Sequence, residues 1–104
     1  MTKADIVDRI AEGTGLTKLE TEAVVDGFVI TVMEALEAGQ SIELRGFGSF
    51  RVRERAPRVA RNPQTDEPID VPRQFVPAFK PSQEFRRVVN EARIAAERAS
   101  GKAK

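Results

Sequence analysis

Cysteine, histidine, tyrosine and tryptophan are all missing from this 104-residue chain. Without cysteine there is no disulfide and no thiol nucleophile. Without cysteine and histidine the usual zinc sites are excluded, and the commonest general acid–base side chain is absent as well. Long apolar runs are lacking too. The longest stretch free of Asp, Glu, Lys and Arg covers residues 27–33, against the roughly 20 apolar residues that a membrane span needs. Asp5, Asp8 and Glu12 stand where a secretory leader requires an apolar core. As a metal site these three carboxylates have little to recommend them; they read as a solvated helix face. The expectation is a soluble, intracellular protein that is not an enzyme, with no catalytic residue, cofactor, metal, membrane contact or small-molecule substrate.

Net charge is also scarce. Seventeen Lys and Arg stand against sixteen Asp and Glu, for a total of +1. Its distribution is uneven. Residues 1–44 hold three basic and nine acidic side chains, a net −6, and residues 45–104 hold fourteen and seven, a net +7. Within 45–61 six Arg face only Glu54. Such asymmetry fits a polyanion partner for the basic half, or a solvated charged surface. Proline is segregated as well: all six fall between Pro57 and Pro81. A residue with no backbone donor belongs at sheet edges, strand starts and turns.

What is present reads as a single α+β domain over residues 1–104. Thr2-Lys3-Ala4-Asp5 and Thr17-Lys18-Leu19-Glu20 are capping boxes. Ile6, Val7, Ile10 and Ala11 make the first helix apolar on one face, and Gly13 and Gly15 are expected to end it. The second helix runs from Leu19 past Leu36 to Gly39, apolar around much of its circumference. Two helices of one small chain offer too little partner surface for it, so dimerisation is expected to complete the core. Ile42 and Leu44 alternate with Glu43 and Arg45 as a short strand, which closes a helical base over 1–44.

Gly46-Phe47-Gly48 reads as a tight turn. Phe50 and Val52 then alternate with Arg51, Arg53 and Arg55, which places the three Arg on one face of a strand. Residues 57–68 carry only Val59 as a large apolar side chain, and Ile69, Val71, Phe75, Val76 and Phe79 return toward a core. The pattern over 45–80 is a long hairpin with a packed base and a projecting tip, at about 58–68, mobile until something binds it. Residues 81–99 read as a closing helix and 100–104 as a basic tail.

Three motifs stand in register: Arg45-Gly46-Phe47-Gly48-Ser49-Phe50, Arg61-Asn62-Pro63-Gln64-Thr65 and Val76-Pro77-Ala78-Phe79-Lys80-Pro81. Together with the order of elements they resemble the signature of the bacterial HU/integration host factor family, over about residues 1–90. The resemblance implies an intertwined dimer with a helical base, a three-stranded β saddle and one protruding β-hairpin arm per subunit. It implies a nucleoid-associated protein of the bacterial cytoplasm that binds double-stranded DNA, bends and compacts it, and is largely indifferent to sequence. Minor-groove binders of this kind, HU and integration host factor among them, insert apolar wedges and kink the duplex by about 20–90°.

Carried over by position, Pro63 is the wedge. Arg53, Arg55, Arg58, Arg61, Asn62, Gln64, Thr65 and Arg73 are arm contacts. Lys3, Arg45, Lys80 and Arg86 are body contacts. Phe28, Val32, Phe47, Phe50, Phe79 and Phe85 are dimer core. A homodimer is expected, with a heterodimer of paralogues as the alternative. Glu43-Leu44-Arg45 is similar to the Glu-x-Arg of the integration host factor β subunit, which implies some sequence preference as a second reading. A protein-interaction dimer that has lost productive DNA binding is a third, and an RNA or single-strand binder a fourth. The chain departs from the family pattern at Ala60 and Asp66, where Gly is usual, and at Ser82-Gln83, where Gly-Lys is usual. Its closing helix pattern also runs beyond the usual end near residue 90.

Overall fold

The structure, a computed structural model, describes residues 1–101 and contains three helices and five strands. Two compact units make up the described chain, Met1–Ala38 and a second that begins at Gly39.

The first unit is a helical pair, α1 (Lys3–Thr14) and α2 (Lys18–Glu37). Both expected capping boxes form. The Thr2 hydroxyl accepts from the Asp5 N–H while the Asp5 carboxylate accepts from the Thr2 N–H at 2.8 Å. Thr17 and Glu20 repeat the arrangement at 3.1 and 3.0 Å. These bonds satisfy helix-start donors that the helix itself leaves open. The donated backbone N–H groups hold the Asp5 and Glu20 carboxyls below the ordinary carboxylate range. Each therefore adds stability above its unfolded pKa, and that share is lost as pH falls through the lower folded value.

Gly15 ends α1 in the left-handed conformation at φ 77°. Gly13, expected to share that role, lies inside the helix. One left-handed residue suffices to turn the chain, and the other is carried as an ordinary helical position. Only Val7, Ala11 and Thr21 are buried in this unit. Leu19, Val24, Phe28, Ile30 and Met33 of α2 all remain exposed on the single chain.

The second unit holds β1 (Ile42–Leu44), β2 (Gly48–Arg55), β3 (Arg58–Arg61), β4 (Pro68–Val71), β5 (Gln74–Pro81) and α3 (Gln83–Ala99). Strands β1, β2 and β5 form the expected three-stranded antiparallel sheet in that order, and β3 pairs with β4 in a separate ribbon. One register runs through both. Arg55 faces Gln74 at the end of the sheet and Arg58 faces Val71 at the start of the ribbon. Pro57 therefore stands opposite Pro72. Neither donates an N–H, and the ladder is interrupted there without a slip. Pro77 sits in β5, an edge strand, where its missing donor is tolerated.

Phe47, Phe50, Phe79 and Phe85 cluster beneath the sheet, with neighbouring ring centroids 4.9–6.5 Å apart. Ser82 joins α3 to this base. Its hydroxyl caps Phe85 N–H at 3.1 Å and donates to the Gly46 carbonyl at 3.0 Å, and its N–H donates to the Phe47 carbonyl at 2.9 Å. Helix α3 continues to Ala99, as its periodicity predicts. Of the expected basic tail, Ser100 and Gly101 close the helix, and residues 102–104 lie outside the described residues.

Gly48 starts β2 at φ 156°, and a Cβ there would fall on the Lys80 carbonyl and, at 2.8 Å, on the Phe79 ring. Gly48→Ala is expected to destabilise the fold by at least about 1–3 kcal/mol, the usual range for forced overpacking. Denaturant unfolding monitored by circular dichroism checks this, and unchanged stability would contradict the close approach.

Candidate nucleic-acid interface

The sheet register decides which arginines share a face. Arg51, Arg53 and Arg55 are exposed and alternate along β2, opposite Ala78, Val76 and Gln74 of β5. Residues two apart on a strand lie about 6.8 Å apart on the same side. No carboxylate lies opposite any of the three, and among the described residues none of them forms an ion pair within 4.0 Å. This strip of unbalanced positive charge is suited to a polyanion. Arg51 belongs to it by strand alternation, although the family pattern singles out only Arg53 and Arg55.

Arg58 and Arg73 lie past the last ladder pair of the sheet, Arg58 at the start of β3 and Arg73 between β4 and β5. Arg73 is occupied: it lies 3.5 Å from the Glu54 carboxylate and 5.1 Å over the Phe75 ring. Arg58 is exposed beside Val59, Asp70, Val71 and the two facing prolines. The arm arginines are thus divided between the sheet and the part of the arm beyond it, on either side of the break at the facing prolines.

At the tip, residues 62–67 close a compact turn. The Asn62 N–H donates to the Glu67 carbonyl at 3.0 Å, and the Asp66 N–H to the Asn62 carbonyl at 2.7 Å. The Asn62 side-chain oxygen accepts from the Gln64 N–H at 2.9 Å, an Asx turn that holds Pro63 at its bend. The Thr65 hydroxyl accepts from the Glu67 N–H at 3.4 Å. Pro63 and Gln64 are exposed. A rigid ring with no donor to leave unsatisfied, carried on a narrow ribbon, has the shape and chemistry of a wedge. Of the two departures near the tip, Ala60 sits in β3 opposite Ile69, where alanine is at home. Asp66 takes a positive φ of 59°, and its carboxylate lies 3.5 Å from Arg61.

Nearer the sheet, Arg45, Arg51, Lys80 and Gln83 line one shallow depression with Glu43 and Ser49. The expected body residues Arg45 and Lys80 are thereby brought together. Arg86 lies on α3 with Gln83, Arg87 and Asn90, and Arg87 is paired with Glu91 at 3.3 Å. Phe79, Pro81, Phe85 and Val89 line an apolar groove along α3. Phe28 and Val32, expected in the same core as the four clustered phenylalanines, belong to α2 in the first unit.

Lys3, expected as a free phosphate contact, is engaged within its own unit. Its ammonium donates to Asp26 at 3.0 Å and lies 3.8 Å from Glu22. The helix periodicity of α1 and α2 holds no sign of this pairing, because it spans 23 residues and depends on how the two helices pack. The Arg61–Asp66 contact escapes sequence reading for a similar reason: it depends on a left-handed residue in the tip turn.

Comparison with known proteins agrees with this geometry. Residues 1–90 match the family described as bacterial DNA-binding protein. The chain is 44% identical over 91 residues to the DNA-binding protein HU of Clostridium pasteurianum, covering 88% of this chain and all of that one. It is 43% identical over 90 residues to the integration host factor α subunit of an Anaeromyxobacter species, covering 86% of this chain and 91% of the relative. An Anabaena HU–DNA cocrystal structure superposes with a TM-score of 0.83 at 42% identity, over 86% of this chain and 97% of that one. A mutant HU of Thermotoga maritima gives a TM-score of 0.64 at 30% identity, over 86% and 99%. The chain belongs to the bacterial DNA-binding protein family that holds HU and integration host factor.

Asp26, by its hydrogen bond and its charge, holds the Lys3 ammonium above its ordinary value. The stability this pair adds is present below the unfolded lysine pKa and is lost as pH rises through the higher folded value. In Asp26→Asn the Lys3 titration is expected to fall toward the ordinary range, with Glu22 retaining part of the shift. NMR titration of the lysine side chain reads this directly, and an unmoved titration would contradict the pairing.

Proposed function

We propose that this protein is a nucleoid-associated architectural DNA-binding protein of the bacterial cytoplasm, acting as a homodimer that bends and compacts duplex DNA with little sequence preference. The observation that carries the reading is the unpaired Arg51, Arg53 and Arg55 strip leading into an arm whose tip presents an exposed Pro63. Relatives named as DNA-binding HU proteins, one solved together with DNA, support the same partner. No catalytic role, cofactor or small-molecule substrate enters the proposal.

In this reading residues 1–104 act as a single domain. Arg53, Arg55, Arg58, Arg61, Asn62, Gln64, Thr65 and Arg73 line the arm along the minor groove, and Pro63 enters a base step. Arg45, Lys80 and Arg86 meet phosphates on the body. Lys3 joins them with its remaining donors, its charge partly offset by Asp26. A second reading, sequence preference through Glu43 and Arg45, is favoured by one observation: both residues line the depression that holds Arg51 and Lys80.

Dimerisation answers a shortage of cover. Helix α2 exposes Leu19 at 79%, Val24 at 65% and Met33 at 60%, and α3 leaves the groove of Phe79, Phe85 and Val89 open. A second copy of the chain is the occupant proposed, with Phe28, Val32 and the four clustered phenylalanines in the shared core. Light scattering is expected to give twice the 11.5 kDa chain mass, and a monomer at micromolar concentration would overturn the dimer.

Binding to duplex DNA is expected to weaken steeply with salt, by about 0.9 in log–log slope per neutralised phosphate. Pro63→Ala tests the wedge, with the bend read by energy transfer between labelled duplex ends at saturating protein. A smaller bend with nearly unchanged salt slope is expected. An undiminished bend angle would remove the wedge from the mechanism.

A further inference from the structure

The positive charge of the arm's stem does not continue into the turn that closes it. Residues 51–58 hold four Arg and one Glu, a net +3. Residues 61–67 hold Arg61 against Asp66 and Glu67, a net −1. The wedge candidate Pro63 is thus mounted on a turn that adds no net attraction for a phosphate backbone.

Arg61, the one cation of that tip, is already engaged. Its Nη1 donates to the Asp66 carbonyl at 3.0 Å and lies 3.5 Å from the Asp66 carboxylate. Both side chains are exposed, at 71% and 86%, so the contact is made in solvent rather than forced by packing. Asp66 is held in place by its backbone. At φ 59° it is the only described residue other than glycine with a positive φ, a conformation that Asp and Asn tolerate better than most side chains. Its N–H is committed to the Asn62 carbonyl. Glycine would serve this turn with less strain, and what aspartate adds is a carboxylate within reach of Arg61.

We propose that Asp66 sets the affinity of the arm for duplex DNA by neutralising Arg61 at the tip. The proposal rests on the DNA-binding reading above. Free, Arg61 offers a planar fork of donors to groove-floor acceptors or phosphates. Beside Asp66, its charge is offset and its Nη1 is committed, so a groove contact made through the remaining donors sets a carboxylate beside the polyanion. The stem arginines Arg51, Arg53 and Arg55 are under no such restraint, so the arm is built to be attracted along its stem and to engage weakly at its end.

Asp66→Asn is the test, because asparagine tolerates the same left-handed backbone and removes only the charge. Affinity for a linear duplex is measured across salt for the wild type, Asp66→Asn, Arg61→Ala, the double variant, and Glu67→Gln as a control for charge alone. Asp66→Asn is expected to bind about three- to tenfold tighter near 50 mM salt, with a log–log slope steeper by about 0.9 per arm. Arg61→Ala is expected to weaken binding on its own, because it removes an arm contact and leaves the Asp66 carboxylate uncompensated, and in that background Asp66→Asn is expected to bring no more than Glu67→Gln brings in the wild type. An equal gain from Glu67→Gln, or a gain that survives loss of Arg61, would overturn the proposal in favour of simple repulsion. Unchanged or weaker binding by Asp66→Asn overturns it as well. No binding by any variant, wild type included, refutes the DNA-binding reading itself.

Discussion

One antiparallel register underlies the sheet, the arm and the tip. Gly48 faces Pro81 at one end and Arg61 faces Pro68 at the other. Because side chains alternate with period two, a slip of one residue would move every arginine of β2 to the side now held by Phe50 and Val52. The register is pinned at its base by the close approach of Gly48 to Phe79 and Lys80 and by the Ser82 bonds to Gly46 and Phe47. It is released locally at Pro57 and Pro72, where two facing residues lack donors. Interrupting both strands at the same level preserves the alternation beyond the gap, and the ribbon loses hydrogen bonds without losing its order.

Buried apolar surface is the second constraint. Among the described residues only Val7 and Ala11 form a buried hydrophobic core, which is too little to offset the conformational entropy of about 100 ordered residues. The local devices are well formed: two complete capping boxes, a Ser82 cap, left-handed glycines after α1 and α2, and a packed aromatic cluster. They specify elements; they do not supply a core. A chain with such definite local structure and so many exposed Val, Ile, Leu and Phe side chains is built for association with an apolar partner surface.

Much of this was legible in the residues because the signals were local. Capping boxes, the period-two arginines, the Gly46-Phe47-Gly48 turn and the extension of α3 to Ala99 each depend on neighbours within a few positions. The Gly13 expectation failed because two glycines competed for one helix end, and composition does not say which takes the left-handed turn. What stayed hidden was pairing that depends on tertiary or turn geometry. Lys3 with Asp26, Arg73 with Glu54 and Arg61 with Asp66 each set a carboxylate beside a cation that residue type alone had shown as free. The division of the arm into a sheet and a separate ribbon was hidden as well, since it depends on where two prolines come to face each other.

These pairings change what a net charge of +1 means. A total near zero does not by itself weaken attraction to a polyanion, because charge acts locally within a Debye length of about 8–10 Å. What matters is which cations face outward without a partner. Among the described residues these include Arg51, Arg53, Arg55 and Arg58 on the arm, Arg45 and Lys80 by the sheet, and Arg86, Arg93 and Arg98 on α3. At the tip, by contrast, the cation is matched. An arm charged uniformly to its end would hold any duplex by its phosphates alone. In the function proposed, an arm attractive along its stem and nearly neutral at its end gives Pro63 a larger share in deciding which DNA is held, because tip engagement would then depend on the ease of opening a base step. Flexible or already distorted duplex yields such a step at lower energetic cost than straight, well-stacked duplex. The distribution of charge along the arm thus favours discrimination by deformability over discrimination by charge.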